Sequence, residues 1–177
     1  DIASLGADEV IVATGSKARK LPVTGAEHAI EAVEYLLGEK QVGDNVVIIG
    51  GGLTGCEIAY ELYLQGKKPT IVEMKNDLIA QKGVCLANSS YLREWFALNG
   101  VNVYLNSGLK EVKDGKIIVT RADEETVIEC DSVISSIGYI PAPLTKEGRK
   151  VTLVGDCRNI GNLRSVIWQA YEAAMKI

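Results

Sequence analysis

Val46-Val47-Ile48-Ile49-Gly50-Gly51-Gly52-Leu53-Thr54-Gly55, running on into Cys56-Glu57-Ile58-Ala59-Tyr60-Glu61-Leu62, is the stretch on which the fold turns. Its β-branched apolar start predicts a buried parallel strand. The glycines at 50, 52 and 55 fit G-x-G-x-x-G at the turn from that strand into a helix. In such a pattern the first glycine permits the tight turn, the second lets a pyrophosphate reach the backbone, and the third lets the helix pack closely on the strand. Amide groups and the positive end of the helix dipole then face the anion without help from a lysine. Glycine-rich turns are common, so the surroundings decide. Here the helix stops at Gly66, and a second apolar strand, Thr70-Ile71-Val72, ends at Glu73. That acid falls about 20 residues past the fingerprint, where a carboxylate accepts hydrogen bonds from an adenosine ribose. Together these features predict a dinucleotide-binding unit.

Composition sets the bounds around this unit. The 177 residues are enough for one good core, or for one domain with pieces of another. An apolar fraction of 47% and a charged fraction of 24% are ordinary for a globular protein. A net charge of −4 argues against broad contact with nucleic acid or an anionic membrane, so phosphate binding has to be local. No apolar run approaches the ~20 residues of a membrane span. The opening Asp1-Ile2-Ala3-Ser4 lacks the features of a signal peptide, which makes cytoplasmic the expected location. Cys56, Cys85, Cys130 and Cys157 are scattered without a C-x-x-C pair, and are expected to be small buried apolar residues rather than metal ligands or a disulfide.

Before the fingerprint, Ala7-Asp8-Glu9-Val10-Ile11-Val12-Ala13-Thr14-Gly15 is an acidic pair leading into a strand that stops at a Thr-Gly turn. Pro22 and Gly25 then break the chain. His28, the only histidine, has no catalytic neighbour in sequence and is expected at the surface. Ile30, Val33, Leu36 and Leu37 have helical spacing, closed by Gly38. After Glu73 a mixed loop leads to a helix over 88–98, with Asn88 or Ser89 as its cap and Leu92, Trp95, Phe96 and Leu98 as its core stripe. Val101 to Leu105 alternates like a strand.

From 109 to 130 the pattern changes to short strands: Leu109 to Lys113, an Asp114-Gly115 turn, Lys116 to Thr120, then Thr126 to Cys130. This predicts a three-stranded antiparallel meander, with Asp123-Glu124-Glu125 as a solvated turn. Asp131 to Gly138 repeats the design of 8–15, and Pro141 and Pro143 open a second linker. A short strand from Val151 to Val154 ends at Gly155-Asp156, and a helix from Ser165 to Lys176 closes the sequence. The fold expected is α/β: a Rossmann-like, three-layer ββα domain with a parallel sheet and the meander. Its boundaries are expected at 29–140, with 1–28 and 141–177 foreign to it.

With these residues in view, the chain resembles the pyridine nucleotide–disulfide oxidoreductase superfamily of flavoproteins. Gly51 to Ala59, Lys82-Gly83-Val84-Cys85-Leu86-Ala87 and Asn162-Leu163-Arg164-Ser165-Val166-Ile167-Trp168 resemble the C-terminal part of NADH:flavin oxidoreductases of the 2-enoate reductase and 2,4-dienoyl-CoA reductase type. The resemblance implies that 29–140 is the nicotinamide domain inserted into an FAD domain, whose remnants are 1–28 and 141–177. Thr14 and Gly15 then end the first FAD segment, and Gly155-Asp156 returns the chain to FAD.

It also implies the site. Gly50, Gly51, Gly52, Leu53, Thr54 and Gly55 hold the pyrophosphate, Glu73 holds the ribose, and Ser136, Ile137 and Gly138 lie near the nicotinamide. Because a carboxylate at 73 repels a 2′-phosphate, NADH is expected over NADPH. No side chain is named as acid, base or nucleophile, and no metal is expected, since the cofactor carries the chemistry. No FAD fingerprint precedes residue 8, and the cysteine run for an iron–sulfur cluster and the FMN barrel are missing from the sequence. The chain is therefore expected to be an excised, inactive fragment that binds NADH but does not retain FAD. Two alternatives stand beside this: an FAD-binding domain, and a non-catalytic nucleotide-sensing or interaction domain.

Overall fold

The computed structural model of the chain describes Ser4 and residues 6–80 and 83–177; Asp1, Ile2, Ala3 and Lys82 lie outside the described residues. In chain order the first elements are β1 (Val10–Val12), β2 (Ser16–Ala18), β3 (Ala29–Glu31), α1 (Ala32–Leu36), β4 (Asn45–Ile49), α2 (Leu53–Leu64), β5 (Lys68–Val72) and α3 (Leu86–Leu98). Then come β6 (Asn102–Tyr104), β7 (Gly108–Lys113), β8 (Lys116–Arg121), β9 (Glu124–Glu129), β10 (Ser132–Ser135), β11 (Tyr139–Pro141), β12 (Val151–Leu153) and α4 (Leu163–Ala174). They divide into two compact units: Lys20–Gly138, and the two ends, Asp1–Arg19 with Tyr139–Ile177.

Lys20–Gly138 has three layers. A five-stranded parallel sheet in the order β3-β10-β4-β5-β6 forms the middle. Along β4 the side chains alternate between the sheet's faces, as pleating demands. Val46 and Ile48 enter a core with Ile58, Ala59 and Leu62 of α2 and Leu92 and Phe96 of α3. Val47 and Ile49 enter a second core with Val112, Ile117 and Val119 of the meander β7-β8-β9. β4 is thus buried on both faces, which is why it reads as an unbroken apolar run. Pro69 sits inside β5 without harm, because β6 first pairs with that strand at Thr70 and leaves no ladder bond for Pro69 to donate on that side.

Several elements differ from their sequence expectation. Ala29–Glu31 is not helical but an edge strand, in register Ile30↔Ile134 with β10. α1 keeps only the five residues that follow, started by a reciprocal capping box between Glu31 and Glu34. Leu36 and Leu37 are consequently exposed rather than on a core face. α3 begins at Leu86, capped by Cys85 rather than by Asn88 or Ser89; Ser89 is buried and donates its hydroxyl to the Leu86 carbonyl at 3.1 Å. Leu98 is exposed, so the helix's core stripe narrows to Leu92 and Phe96, with Trp95 half-buried against that core. The β8–β9 turn is the pair Ala122-Asp123, with φ of 47° and 67°. Glu124 and Glu125 therefore belong to β9, where Glu125 pairs with Lys110. Residues 20–28 pack on the meander: Val112 N–H donates to the Thr24 carbonyl at 3.0 Å.

The unit made from the ends pairs β1 with β12 in parallel, Val10↔Val151 to Val12↔Leu153, and β2 with β11 antiparallel. Its core is small, consisting of Val12, Leu153 and Cys157 with Val10 and Val151 against them. α4 opens with a capping box between Asn162 and Ser165, and Ala173 is its single buried residue. Leu163, Ile167, Trp168, Tyr171 and Met175 stand exposed.

Candidate functional site

The end of β4 is held level with its neighbours by hydrogen bonds on both sides. Gly50 N–H donates to the Val72 carbonyl of β5 at 2.9 Å, and Ser136 N–H donates to the Ile49 carbonyl at 2.8 Å. The chain leaves β4 toward β5 on one side and returns through β10 on the other, so the strand order switches at their carboxyl ends, the usual place for ligands in such sheets.

Gly50 and Gly55 of the elbow have separate steric reasons. Gly50 has φ of +108°, and a Cβ there would lie 2.3 Å from the Ser136 carbonyl oxygen. A Cβ on Gly55 would lie 2.0 Å from the Gly50 carbonyl oxygen, so α2 approaches the strand end as closely as backbone allows. Gly52 is the N-cap of α2 and brings no capping side chain. Intrahelical bonding begins with Cys56 N–H on the Gly52 carbonyl at 3.0 Å. The N–H groups of Leu53, Thr54 and Gly55 in the first turn thus have no acceptor within the helix, and the dipole adds its positive end.

Glu73, directly after β5, is half-buried against this elbow. Its Oε2 accepts the Gly51 N–H at 2.6 Å, and its Oε1 accepts the Lys75 N–H at 2.8 Å. The carboxylate thus fixes the loop through both of its oxygens. Gly50 to Gly55, Glu73 and Ser136 are therefore gathered at one end of the sheet. Ile137 packs beneath them in the meander-side core, and Gly138, with φ of +88°, ends the unit. Cys56 lies inside the elbow's helix, where burial first and the Glu73 charge second push its thiol up to about 12; it is no nucleophile.

Thr14, Gly15, Gly155 and Asp156 are brought together in the other unit. Thr14 donates its hydroxyl to the Ala142 carbonyl at 3.0 Å, and Ala142 N–H donates to the Gly15 carbonyl at 3.1 Å. Asp156 accepts the Gly161 N–H at 3.0 Å and the Ser16 hydroxyl at 3.5 Å. Gly155 has φ of +69° and donates its N–H to Gln169 Oε1 at 2.9 Å. The cysteines are all free, and Cys56, Cys130 and Cys157 are buried; Cys85 is exposed, against expectation, because α3 starts at the residue after it. His28 is exposed, 3.9 Å from Glu27. Among the described residues no group of three or more His, Cys, Asp or Glu is placed to hold a metal ion, and no helix is long and apolar enough to cross a membrane.

Sequence reasoning missed Leu78, Ile79 and Arg93. Ile79 N–H donates to the Gly51 carbonyl at 2.7 Å, and Arg93 reaches the Leu78 carbonyl from α3. The available signal was weak: a cation four residues after Ser89 and next to Leu92, within the arc that the helix buries.

A parallel sheet between helices and a meander, with a glycine elbow and a trailing acid at its carboxyl edge, defines a Rossmann-type domain. Residues 2–159 match the family described as pyridine nucleotide-disulphide oxidoreductase, and the chain belongs to that family. Cinnamate reductase of Clostridium sporogenes is 39% identical over 183 residues, an alignment that takes in 100% of this chain and 28% of that protein. NADH oxidase of Thermoanaerobacter brockii is 30% identical over 189 residues, covering 99% of this chain and 29% of the relative. A 2-naphthoyl-CoA reductase structure in complex with 2-naphthoyl-CoA matches with a TM-score of 0.83 at 26% identity, over 96% of this chain and 27% of that one. The chain spans under a third of the length of these relatives and corresponds to one part of such an oxidoreductase.

Proposed function

We propose that Lys20–Gly138 binds NADH in preference to NADPH and, within a full-length enzyme, presents it to FAD for the reduction of an activated carbon–carbon double bond. The observation that carries this is the elbow, where Gly55 is pressed against Gly50 and a bare N-cap at Gly52 is followed by first-turn amides without helical acceptors. These residues fit a diphosphate, because anions bind where amides and a helix dipole converge. Leu53, Thr54 and Gly55 donate to it, and Gly52 lets it approach. Glu73, fixed by two main-chain N–H groups, has lone pairs left to accept from both ribose hydroxyls, and its charge repels a 2′-phosphate.

Ser136, Ile137 and Gly138 line the nicotinamide end and orient the ring. Once bound, NADH supplies the hydride. The chain's own residues contribute binding, orientation and exclusion of water, and no side chain serves as acid or base. In the full-length enzyme Thr14, Gly15, Gly155 and Asp156 belong to the FAD side; Asp156, already set by Gly161 and Ser16, is the group for the flavin's ribityl hydroxyls. The double bond follows from likeness to the cinnamate and 2-naphthoyl-CoA reductases. By itself the chain is expected to bind NADH and to elute from gel filtration without flavin colour.

Calorimetric titration tests the reading. NADH is expected to bind about tenfold more tightly than NADPH, roughly 1.4 kcal/mol, and Glu73→Ala to narrow that gap. Equal or tighter binding of NADPH by the wild-type chain overturns the preference.

A further inference from the structure

Gly51 is fixed at both of its polar atoms. Its N–H donates to Glu73, and its carbonyl accepts the Ile79 N–H at 2.7 Å. Packing reinforces the second contact, since a Cβ on Gly51 would lie 2.5 Å from Leu78 Cδ2. Leu78 and Ile79 are both buried. Ile79 has φ of 51°, in the left-handed region, where a β-branched residue is strained. Such a residue persists only when its surroundings over-determine it.

Arg93 supplies that constraint from α3. Its Nε and Nη2 lie 2.9 and 2.5 Å from the Leu78 carbonyl oxygen, and Nη2 also lies 3.4 Å from the Ile79 carbonyl oxygen. The same Nη2 is 3.0 Å from Asp77 Oδ2. One planar, multidentate cation therefore ties three consecutive residues in a single conformation, a geometry that the point charge of a lysine does not reproduce.

We propose that Arg93 is a positioning residue for the diphosphate site, acting through Ile79 on Gly51. It holds Asp77–Ile79 on a strained path and so keeps the Ile79 N–H on the Gly51 carbonyl. Without the guanidinium, Ile79 relaxes to negative φ, its N–H turns away, and the peptide between Gly51 and the Gly52 N-cap is left with only the weak Cys56 thiol contact at 3.5 Å to hold it. The amides that follow then lose their fixed aim. This rests on the reading that the elbow receives a diphosphate, and Arg93 itself touches no ligand.

The test uses the full chain and its Arg93→Lys variant, with Arg93→Gln as a second variant and circular dichroism as the check of fold. Binding of ADP-ribose, which carries the diphosphate, is compared with binding of adenosine, which does not. Arg93→Lys is expected to weaken ADP-ribose by about fivefold or more while leaving adenosine within about twofold. Ligand-free amide exchange at Ile79 is expected to speed up by about tenfold or more in the same variant. A folded variant that binds ADP-ribose like wild type, or that loses both ligands equally, overturns the proposal alone. Failure of the wild-type chain to bind ADP-ribose overturns the reading of the elbow, and the proposal with it.

Discussion

The stretches 8–15 and 131–138 are written almost alike, each with an acidic start, an apolar β-branched run and a small-residue stop at glycine, yet the structure treats them differently. β10, from the second stretch, lies between β3 and β4, and its Ile134 is 0% exposed. β1, from the first, has β12 as its only strand partner among the described residues, and its Ile11 is 43% exposed. The helices repeat the contrast. α2 buries Gly55, Cys56, Ile58, Ala59 and Leu62, whereas α4 buries Ala173 alone. Local pattern makes a strand or a helix in both places; the number of layers around it decides how much of it leaves water. The glycine elbow sits in the unit where both faces of the sheet are covered, and on the proposed reading its amides need that rigidity to keep a fixed direction.

Three experiments set the two regions against each other. The largest effect is expected from Ile134→Ala, which should cost about 2–5 kcal/mol because a fully enclosed side chain leaves a cavity. Ile11→Ala should stay within about 0.5 kcal/mol, as expected for a residue already largely in water. Urea unfolding followed by Trp95 fluorescence in a Trp168→Phe background reports Lys20–Gly138 separately for the first, and Trp168 in a Trp95→Phe background reports the other unit for the second. Equal losses would erase the distinction between the units.

A second comparison concerns glycines. Gly55→Ala places a Cβ 2.0 Å from the Gly50 carbonyl oxygen, so it should displace α2 and weaken NADH by about tenfold or more in calorimetry. Gly15→Ala meets nothing within 4 Å and has only its φ of +75° against it. It should cost about 1–2 kcal/mol of stability in the end unit and leave NADH affinity unchanged. The smallest effect is kinetic. With a thiol reagent at pH 8, exposed Cys85 should react first, and Cys157, in the smaller core, should follow by local opening. Cys56, with its thiol pushed up to about 12 by burial, should react last, and mass-spectrometric labelling gives the order.

Much of this was legible in the sequence, and particular residues show why. The run from Val46 to Leu62 gave strand, elbow and helix because a buried strand, the spaced glycines and a helical period each leave a local mark. Glu73 was found by spacing, and the β7–β8 hairpin by Asp114-Gly115, where Gly115 has φ of +71°. Residues 29–37 were misread because Ile30, Val33, Leu36 and Leu37 do have helical spacing; only the open edge of β10 turns Ala29–Glu31 into a strand. Arg93 beside Glu94 reads as a solvated charge pair, and nothing local says that its guanidinium reaches back to Leu78.

By itself, then, the sequence determined the strand–elbow–helix unit, the meander and the three-layer class, since these follow from dihedral preference, side-chain period and turn chemistry within a few positions. Tertiary structure alone decided that Ala29–Glu31 closes the sheet, that Glu73 grips Gly51, and that Ile79, itself tied by Arg93, holds the same glycine at its carbonyl. The reason is physical: each of these is a bond between groups distant in sequence, whose formation depends on which buried donors and acceptors the packed layers leave opposite one another.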